Sequence, residues 1–380
     1  MAGIVDLEQL RELAGFRSEK GCAVSVYVNL DPSEAPTPAA VETRVDSGLD
    51  HAGRLFDERK GTMSHDAREA MKADLLRIRA WFDDDFERDR ARGVAVFAAG
   101  LDNFWSTLTT ADPVSDGVSI AADLYLKPLA PLVDRPDAVL VAAVSRERGT
   151  VYRLQGGQLL EIADETASVP GRHDQGGWSQ ARYERHTEEI VERHWRRVAD
   201  TLDTHVRQAE GAWVVLVGVE DMRSEFDDVL SNEVKTRLIG WATAEAHAHA
   251  AELLEAVQPV LDEWYGRRES ELLDRWREAA GRNGHATAGW EQTLEAASDG
   301  RVELLLVQDG ADRPAYQCPL CGRAQANDGN CPLDGTPLER RESGLDVALH
   351  KTFAYGGSVH VVRDRQDLAP VGGIGALLRF

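Results

Sequence analysis

The sequence predicts an α/β protein of the α+β multidomain kind, built as three domains. Continuous apolar, β-branched runs at "AVLVAAVS" (138–145), "AWVVLVGV" (212–219) and "RVELLLVQ" (301–308) have the character of strands buried on both faces. Long helical periodicities separate them, so strand and helix alternate as in layered α/β folds. At 380 residues the chain also exceeds the size at which one hydrophobic core keeps growing. The expected parts are an N-terminal α/β domain over 1–130, a small central β-hairpin and long-helix domain over 131–209, and a C-terminal α/β domain over 210–380 with a cysteine-rich insertion near 316–340.

In order along the chain, residues 5–14 have the pattern of a short amphipathic helix, and "CAVSVYVNL" (22–30) that of a strand. "DPSEAPTP" breaks the chain, and two long helices are expected between about 39 and 92. Their last stretch, "WFDDDFERDRARG", reads as a solvated helix end. "GVAVFAAG" and "FWSTLTT" resume strands, and "LYLKPLAPLVDRPD" is a proline-punctuated connection. "TVYRLQ" and "LLEIADE" flank Gly156 and Gly157, the signature of a hairpin turn. After a loop, a helix rich in i,i+4 charge pairs covers about 181–208. In the last part, long helices are interrupted at "GRNGHATAG" (281–289), and "SVHVVRD" and "GIGALLRF" are expected to close one sheet with 212–219 and 301–308.

The net charge of −22 and pI near 4.9 argue against electrostatic binding to bulk nucleic acid, DNA included. The charge is uneven. Lys and Arg against Asp and Glu number 15 to 23 over 1–130, 11 to 14 over 131–210 and 17 to 28 over 211–380. Residues 171–197 reverse the balance, with six arginines, three histidines and five acids, so a polyanion would meet the protein there. No apolar run is long enough to cross a bilayer, and the N-terminus lacks the pattern of a secretory signal, so a cytoplasmic location and no membrane partner are expected.

Three cysteines within fourteen residues, in "CPLCGRAQANDGNCPLDG", suggest a metal and not a disulfide framework. Cys318 and Cys321 form a knuckle that aims two thiolates at one tetrahedral ion, Cys331 opens a second, and Asp334 stands where symmetry asks for a fourth cysteine. Asp334, His350 and His360 are alternatives for the fourth ligand of a structural zinc, and a cluster that has lost its metal is the other reading. The two histidines of "AEAHAHAAE", His247 and His249, are two apart on a helical pattern; they point about 200° apart and suit no shared ion. Trp264, Trp276 and Trp290 read as packing residues.

The segment "GRHDQGGWSQARYERH" (171–186) is different. Gly176 and Gly177 allow close backbone approach to a ligand, and Ser179 and Gln180 offer hydrogen-bonding groups. The following helix presents its unsatisfied N–H groups and its positive dipole end, with Arg182 and Arg185 suited to phosphate. The combination reads as an RNA or phosphate-ester contact, against the plain alternative of a glycine-rich linker.

The order of parts, with Gly176 and Gly177 and then Arg182, Tyr183 and Arg185, resembles the archaeal and eukaryotic class-1 peptide release factor and Pelota superfamily, in particular its bacterial branch of Balon-like ribosome hibernation factors. In that family a GGQ loop precedes the same Arg-aromatic-x-Arg spacing; here Trp178 stands at the glutamine position, and Gln180 follows two residues later. The resemblance implies a ribosomal L7Ae-like C-terminal α/β sandwich. It also implies binding in the ribosomal A site with the loop toward rRNA of the peptidyl transferase centre, through Gly176, Gly177, Trp178, Ser179, Gln180, Arg182, Tyr183, Arg185, Arg193 and Arg197. A translational GTPase is an implied partner. No stop-codon motif of the NIKS type occurs, which points to hibernation or rescue instead of termination. A tryptophan crowds out the water that the family's glutamine helps to place, so binding without hydrolysis is the leading expectation. A peptidyl-tRNA hydrolase using Gln180, and a zinc-stabilised protein-interaction module, are its rivals.

Overall fold

The structure, a computed structural model, describes residues 7–89, 91–133, 138–167, 180–209, 212–245, 248–281, 285–363 and 365–380, with the side chains of Leu7 and of residues 180–185 outside the description. It divides into two compact units, one of residues 1–135 with 270–380 and the other of residues 136–269.

The first unit opens with α1 (Leu7–Gly15), β1 (Ala23–Asn29), α2 (Pro38–Arg59), α3 (His65–Asp84), β2 (Gly93–Ala99), β3 (Phe104–Thr110), β4 (Gly117–Ala121) and the short α4 (Ala130–Val133). The strands form an antiparallel sheet in the order β3-β2-β1-β4. Thr37 and Ser64 cap α2 and α3 by accepting from Ala40 N and Ala67 N, each at 3.2 Å. Val45, Phe56, Met71 and Ile78 of these helices cover one sheet face, meeting Val24, Val26, Val94 and Val96. The other face, with Tyr27 and Phe97, is covered as well, which explains the unbroken burial of β1 and β2.

The second unit begins with β5 (Val139–Val144), β6 (Arg148–Gln155), β7 (Gln158–Thr166) and α5 (Gln180–Gln208), then β8 (Trp213–Val217), α6 (Arg223–Val229), α7 (Asn232–Arg237), β9 (Leu238–Ala242) and the first part of α8 (Ala250–Gly281). Gly156 and Gly157, at φ 57° and 68°, make the expected two-residue hairpin turn. The sheet order is β7-β6-β5-β8-β9, antiparallel through the hairpin and parallel from β5 to β9. Val191, Trp195, Val198 and Leu202 of α5, with Phe226 of α6 and Val234 of α7, bury one face, and Leu253, Val257, Leu261 and Trp264 of α8 bury the other.

The chain then returns to the first unit through the rest of α8, followed by β10 (Ala286–Ala288), α9 (Trp290–Ser298), β11 (Val302–Gln308), β12 (Ala315–Gln317), β13 (Ala324–Gln325), β14 (Glu339–Arg341), α10 (Gly344–Ala354), β15 (Ser358–Val362) and β16 (Ile374–Leu378). β10-β16-β11-β15 is a mixed sheet, and β13-β12-β14 a small one beside it. Leu273 and Trp276 of α8 cover one face of the larger sheet.

Two expectations are corrected. The run 212–219 does not open a third domain or share a sheet with 301–308: β8 pairs with β5, because a strand that continues in parallel needs a crossover, and α5 supplies it. Nor do 1–130 and 210–380 stand apart. Leu10, Tyr27, Phe97 and Leu126 share one hydrophobic cluster with Leu305, Leu349, Phe353 and Val359. A polar joint runs through it: Asp346 Oδ1 accepts Leu126 N at 2.7 Å and Lys127 N at 3.0 Å, and the two ring nitrogens of His350 face the carbonyl oxygens of Ala14 and Leu124.

Candidate functional site

α5 is the element on which the sequence-predicted nucleic-acid site is built. Its apolar stripe starts at Val191, and none of residues 186–190 is buried. From Val191 to Val206 it is docked: Trp195 donates from Nε1 to Ser145 O at 2.9 Å and packs edge-on against Phe226. Gly149 of β6 lets the helix come close, since a Cβ there would run into both methyl groups of Val198.

Arg193, Arg196 and Arg197 lie on the exposed side. Arg196 is paired with Glu192 at 2.6 Å, whereas Arg193 and Arg197, one turn apart on one face, have no ion pair among the described residues. Gln180, Arg182, Tyr183 and Arg185 occupy the first turns of α5, their side chains outside the description, and Gly176, Gly177, Trp178 and Ser179 lie outside the described residues. His247 lies outside them too, and His249 is exposed just before α8, where its backbone N–H donates to Glu252 Oε2 at 3.1 Å.

The cysteine cluster assembles as two copies of one turn. In the first, Cys318 N donates to Arg323 O at 2.8 Å and Gly322 N to Cys318 O at 3.0 Å; in the second, Cys331 N donates to Thr336 O at 2.8 Å and Gly335 N to Cys331 O at 2.9 Å. Gly322 and Gly335 sit at φ 75° and 76°, the left-handed conformation each turn requires. The repeat of "CPLCG" and "CPLDG" is therefore a repeat of geometry.

Ligand atoms of Cys318, Cys321, Cys331 and Asp334 all lie within 4.8 Å of one another. Cys321 Sγ and Cys331 Sγ are 3.4 Å apart, and Cys318 Sγ is 3.4 Å from Asp334 Oδ2. Tetrahedral zinc with thiolate and carboxylate ligands sets these separations at about 3.8 and 3.5 Å, so the donor set fits a metal of that size. The Thr336 backbone N–H, with its hydroxyl, holds the Asp334 carboxyl well below the usual range, leaving it ionised as a ligand must be. The Arg323 N–H favours the Cys321 thiolate, but desolvation and the adjacent Cys331 and Cys318 sulfurs outweigh it and push that thiol up to about 11. A bound cation would supply the counter-charge these crowded sulfurs lack. Of the alternatives for a fourth ligand, Asp334 is in place, and His350 is committed to the polar joint.

Sequence reasoning missed Leu320 and Leu333, at equivalent positions of the two turns and 76% and 70% exposed. It also missed Asp346 and His350 as a joint. The repeat itself was a signal for the leucines; nothing local signals a contact spanning more than two hundred residues.

Among known proteins, the family described as bacterial archaeo-eukaryotic release factor family 10 matches residues 125–261, close to the limits of the second unit. The chain is similar to peptide chain release factor subunit 1 of Archaeoglobus fulgidus, 26% identical over 282 residues that cover 67% of this chain and 69% of the relative. The same protein of Thermococcus onnurineus is 28% identical over 286 residues, covering 67% and 69%. Of solved structures, Archaeoglobus fulgidus Pelota is similar at 17% identity and a TM-score of 0.35, over 99% of this chain and 92% of that one. The archaeal translation termination factor aRF1 is similar at 16% identity and a TM-score of 0.28, over 99% of each chain.

Proposed function

We propose that this chain, which is similar to archaeal peptide chain release factor subunit 1 over about two thirds of its length, is a ribosome-binding translation factor of the hibernation or rescue kind that does not hydrolyse peptidyl-tRNA. The observation that carries the reading is α5: in a chain of net charge −22 its outward face keeps Arg193 and Arg197 unpaired among the described residues, and residues 186–190, just ahead of its docked part, include no buried side chain. Such a helix delivers its own N-terminus, and the residues before it, to a phosphate-rich surface. In this reading Gly176, Gly177, Trp178, Ser179, Gln180, Arg182, Tyr183 and Arg185 meet ribosomal RNA at the A site and peptidyl transferase centre. Trp178 stacks on a base where the family's glutamine would place a water. A translational GTPase as delivery partner and a cytoplasmic location belong to the same reading.

Co-sedimentation with ribosomes from growing and starved cells tests it. Replacing Arg193 and Arg197 together by Glu should weaken binding and lower the slope of log affinity against log salt by about one for each phosphate no longer neutralised. No pelleting with ribosomes in either state would reject it. Hydrolysis is tested by release of labelled peptide from peptidyl-tRNA. None is expected; a release activity falling on the order of 10²-fold in Gln180→Ala would make the protein a hydrolase instead.

The knuckle pair is proposed as a structural zinc site held by Cys318, Cys321, Cys331 and Asp334. Four protein donors leave no open position, and the zinc would fix the two turns against each other. Stoichiometric zinc in protein purified under reducing conditions without chelator is the expected finding.

A further inference from the structure

The first unit carries a second candidate binding site, built from residues other than the knuckle ligands. An open pocket of ≈ 670 Å³ is lined by Arg11, Glu303, Ala354, Tyr355, Gly356 and Arg379. Its shape follows from how α10 ends. Gly356 N donates to Phe353 O at 2.9 Å and Gly357 N to Thr352 O at 2.7 Å, with Gly356 at φ 73°, a left-handed turn that leaves Tyr355 at the rim.

Two glycines shape the walls. A Cβ on Gly300, itself at φ 69°, would lie 3.0, 3.1 and 3.3 Å from Cγ, Cδ1 and Cδ2 of Tyr355. Near-equal distances to three ring atoms mean that the ring lies flat on the Gly300 backbone. One face is thus covered, while the residue as a whole is 49% exposed. A Cβ on Gly356 would likewise lie 2.9 Å from Nη2 and 3.3 Å from Cζ of Arg11, so the guanidinium lies against the backbone at that turn. Arg379 is held alongside through its backbone N–H, which donates to Arg301 O at 2.9 Å.

Among the described residues, the charges of the pocket are not cancelled. Neither Arg11 nor Arg379 has an acidic partner among the described residues, and the one carboxylate, Glu303, is paired with Arg275 at 3.2 Å. Two such guanidinium groups beside an open aromatic face are the chemistry that holds a phosphate and a base together. We propose that this pocket binds a single nucleotide unit, with its phosphate between Arg11 and Arg379, its base stacked on Tyr355, and a ribose hydroxyl donating to Glu303. The unit is either a free nucleoside monophosphate or one residue of single-stranded RNA, since both present the same phosphate and base.

The test uses the full chain with two probes, 4-thiouridine monophosphate and a short single-stranded RNA bearing one 4-thiouridine, followed by light-driven cross-linking and mass mapping, with affinities from calorimetry. Cross-links at Tyr355 or its neighbours support the site; monophosphate binding assigns it to free nucleotide, and binding of the RNA alone assigns it to RNA. Tyr355→Ala should weaken the bound probe roughly tenfold while Tyr355→Phe keeps it. Arg11→Ala with Arg379→Ala should lower the salt slope by about one for each guanidinium that had met the phosphate. All three side chains are exposed, so the fold should tolerate these changes. Arg193→Glu with Arg197→Glu should leave the monophosphate and the Tyr355 cross-link untouched, which separates this site from the α5 surface. Failure of both probes to bind, cross-links confined to other residues, or displacement by inorganic phosphate as effective as by the nucleotide would overturn the proposal.

Discussion

The two units hold themselves together by different means. The unit of residues 136–269 is a single sheet between helices, closed by apolar side chains at helical spacing, such as Val191, Trp195, Val198 and Leu202 on one side and Leu253, Val257 and Leu261 on the other. The unit of residues 1–135 and 270–380 is closed by segments remote in sequence, and its joint is polar: Asp346 on two backbone N–H groups, His350 between two carbonyl oxygens, and Asp123 bridging Arg17 and Arg341. Apolar packing loses stability in proportion to what is removed. A buried polar joint loses it abruptly, because each partner left behind is an unsatisfied group.

The sharpest test of that difference is Asp346→Ala. It strands two N–H groups and leaves His350 without the carboxylate 3.9 Å away, so the unit should lose about 3 kcal/mol or more in urea unfolding. Asp346→Asn should cost much less, about 1 kcal/mol. Burial pushes the Asp346 carboxyl up, so the site already favours an uncharged group, and the amide oxygen can still accept both bonds. Equal losses for the two variants would mean that charge, not hydrogen bonding, makes the joint.

Gly149→Ala probes the apolar unit. The added methyl collides with Val198, and overpacking of this kind costs about 1–3 kcal/mol. Unlike the polar joint, this damage should be repairable. Val198→Ala in the same chain makes room, and the pair should be more stable than the sum of the two single losses.

A smaller effect separates the units by pH. His194 of α5 is fully buried, and desolvation lowers its pKa below 6.5, against the Arg148 carbonyl and Glu165, which favour the charged ring, and alongside Arg197, which does not. The neutral ring is the folded form. Its contribution is therefore complete above about pH 6.5 and is lost as pH falls through the lowered folded value. Thermal unfolding between pH 7 and 5 should show the apolar unit weakening with acid, and His194→Leu should flatten that dependence.

How much was legible follows the same division. The GG hairpin, α5, the buried strands and the cysteine repeat were all readable, because each is set by residues a few positions apart. The partner of 212–219 was not: β8 and β11 both carry continuous apolar runs that do not name their neighbours, and it is the crossover through α5 that brings β8 beside β5. The joint at Asp346 was not readable either. "SGLDVALH" has the pattern of a helix start, and Ser343 does accept from Asp346 N at 3.0 Å, but the carboxylate leaves its own helix for residues 126 and 127. For the candidate sites, Cys318, Cys321, Cys331 and Asp334, singled out by their spacing, do come together as a group that could hold a metal, whereas Tyr355 and Arg11 share a pocket only because two remote glycines sit beneath them.

The smallest expected effect belongs to the knuckles, which lie at the edge of the polar unit and repeat one local turn. Their own apolar cluster is slight, Cys318, Cys331 and Leu338 with Tyr316 against it, so the metal and the turn hydrogen bonds should carry most of their order. The neighbouring small strands are held otherwise: Ala315, Ala324 and Ala326 sit in the large cluster with Leu305 and Phe353. Removing metal with a chelator, or making Cys318→Ser, should therefore speed hydrogen exchange at the Gly322, Cys331 and Gly335 amides, whose acceptors are in the turns, and leave Ala324 N, which donates to Ser298 Oγ at 2.9 Å, protected. The unfolding free energy of the unit should move by less than about 0.5 kcal/mol. A loss as large as that of Asp346→Ala would mean that the metal closes the unit, and that the knuckles belong with the polar joint.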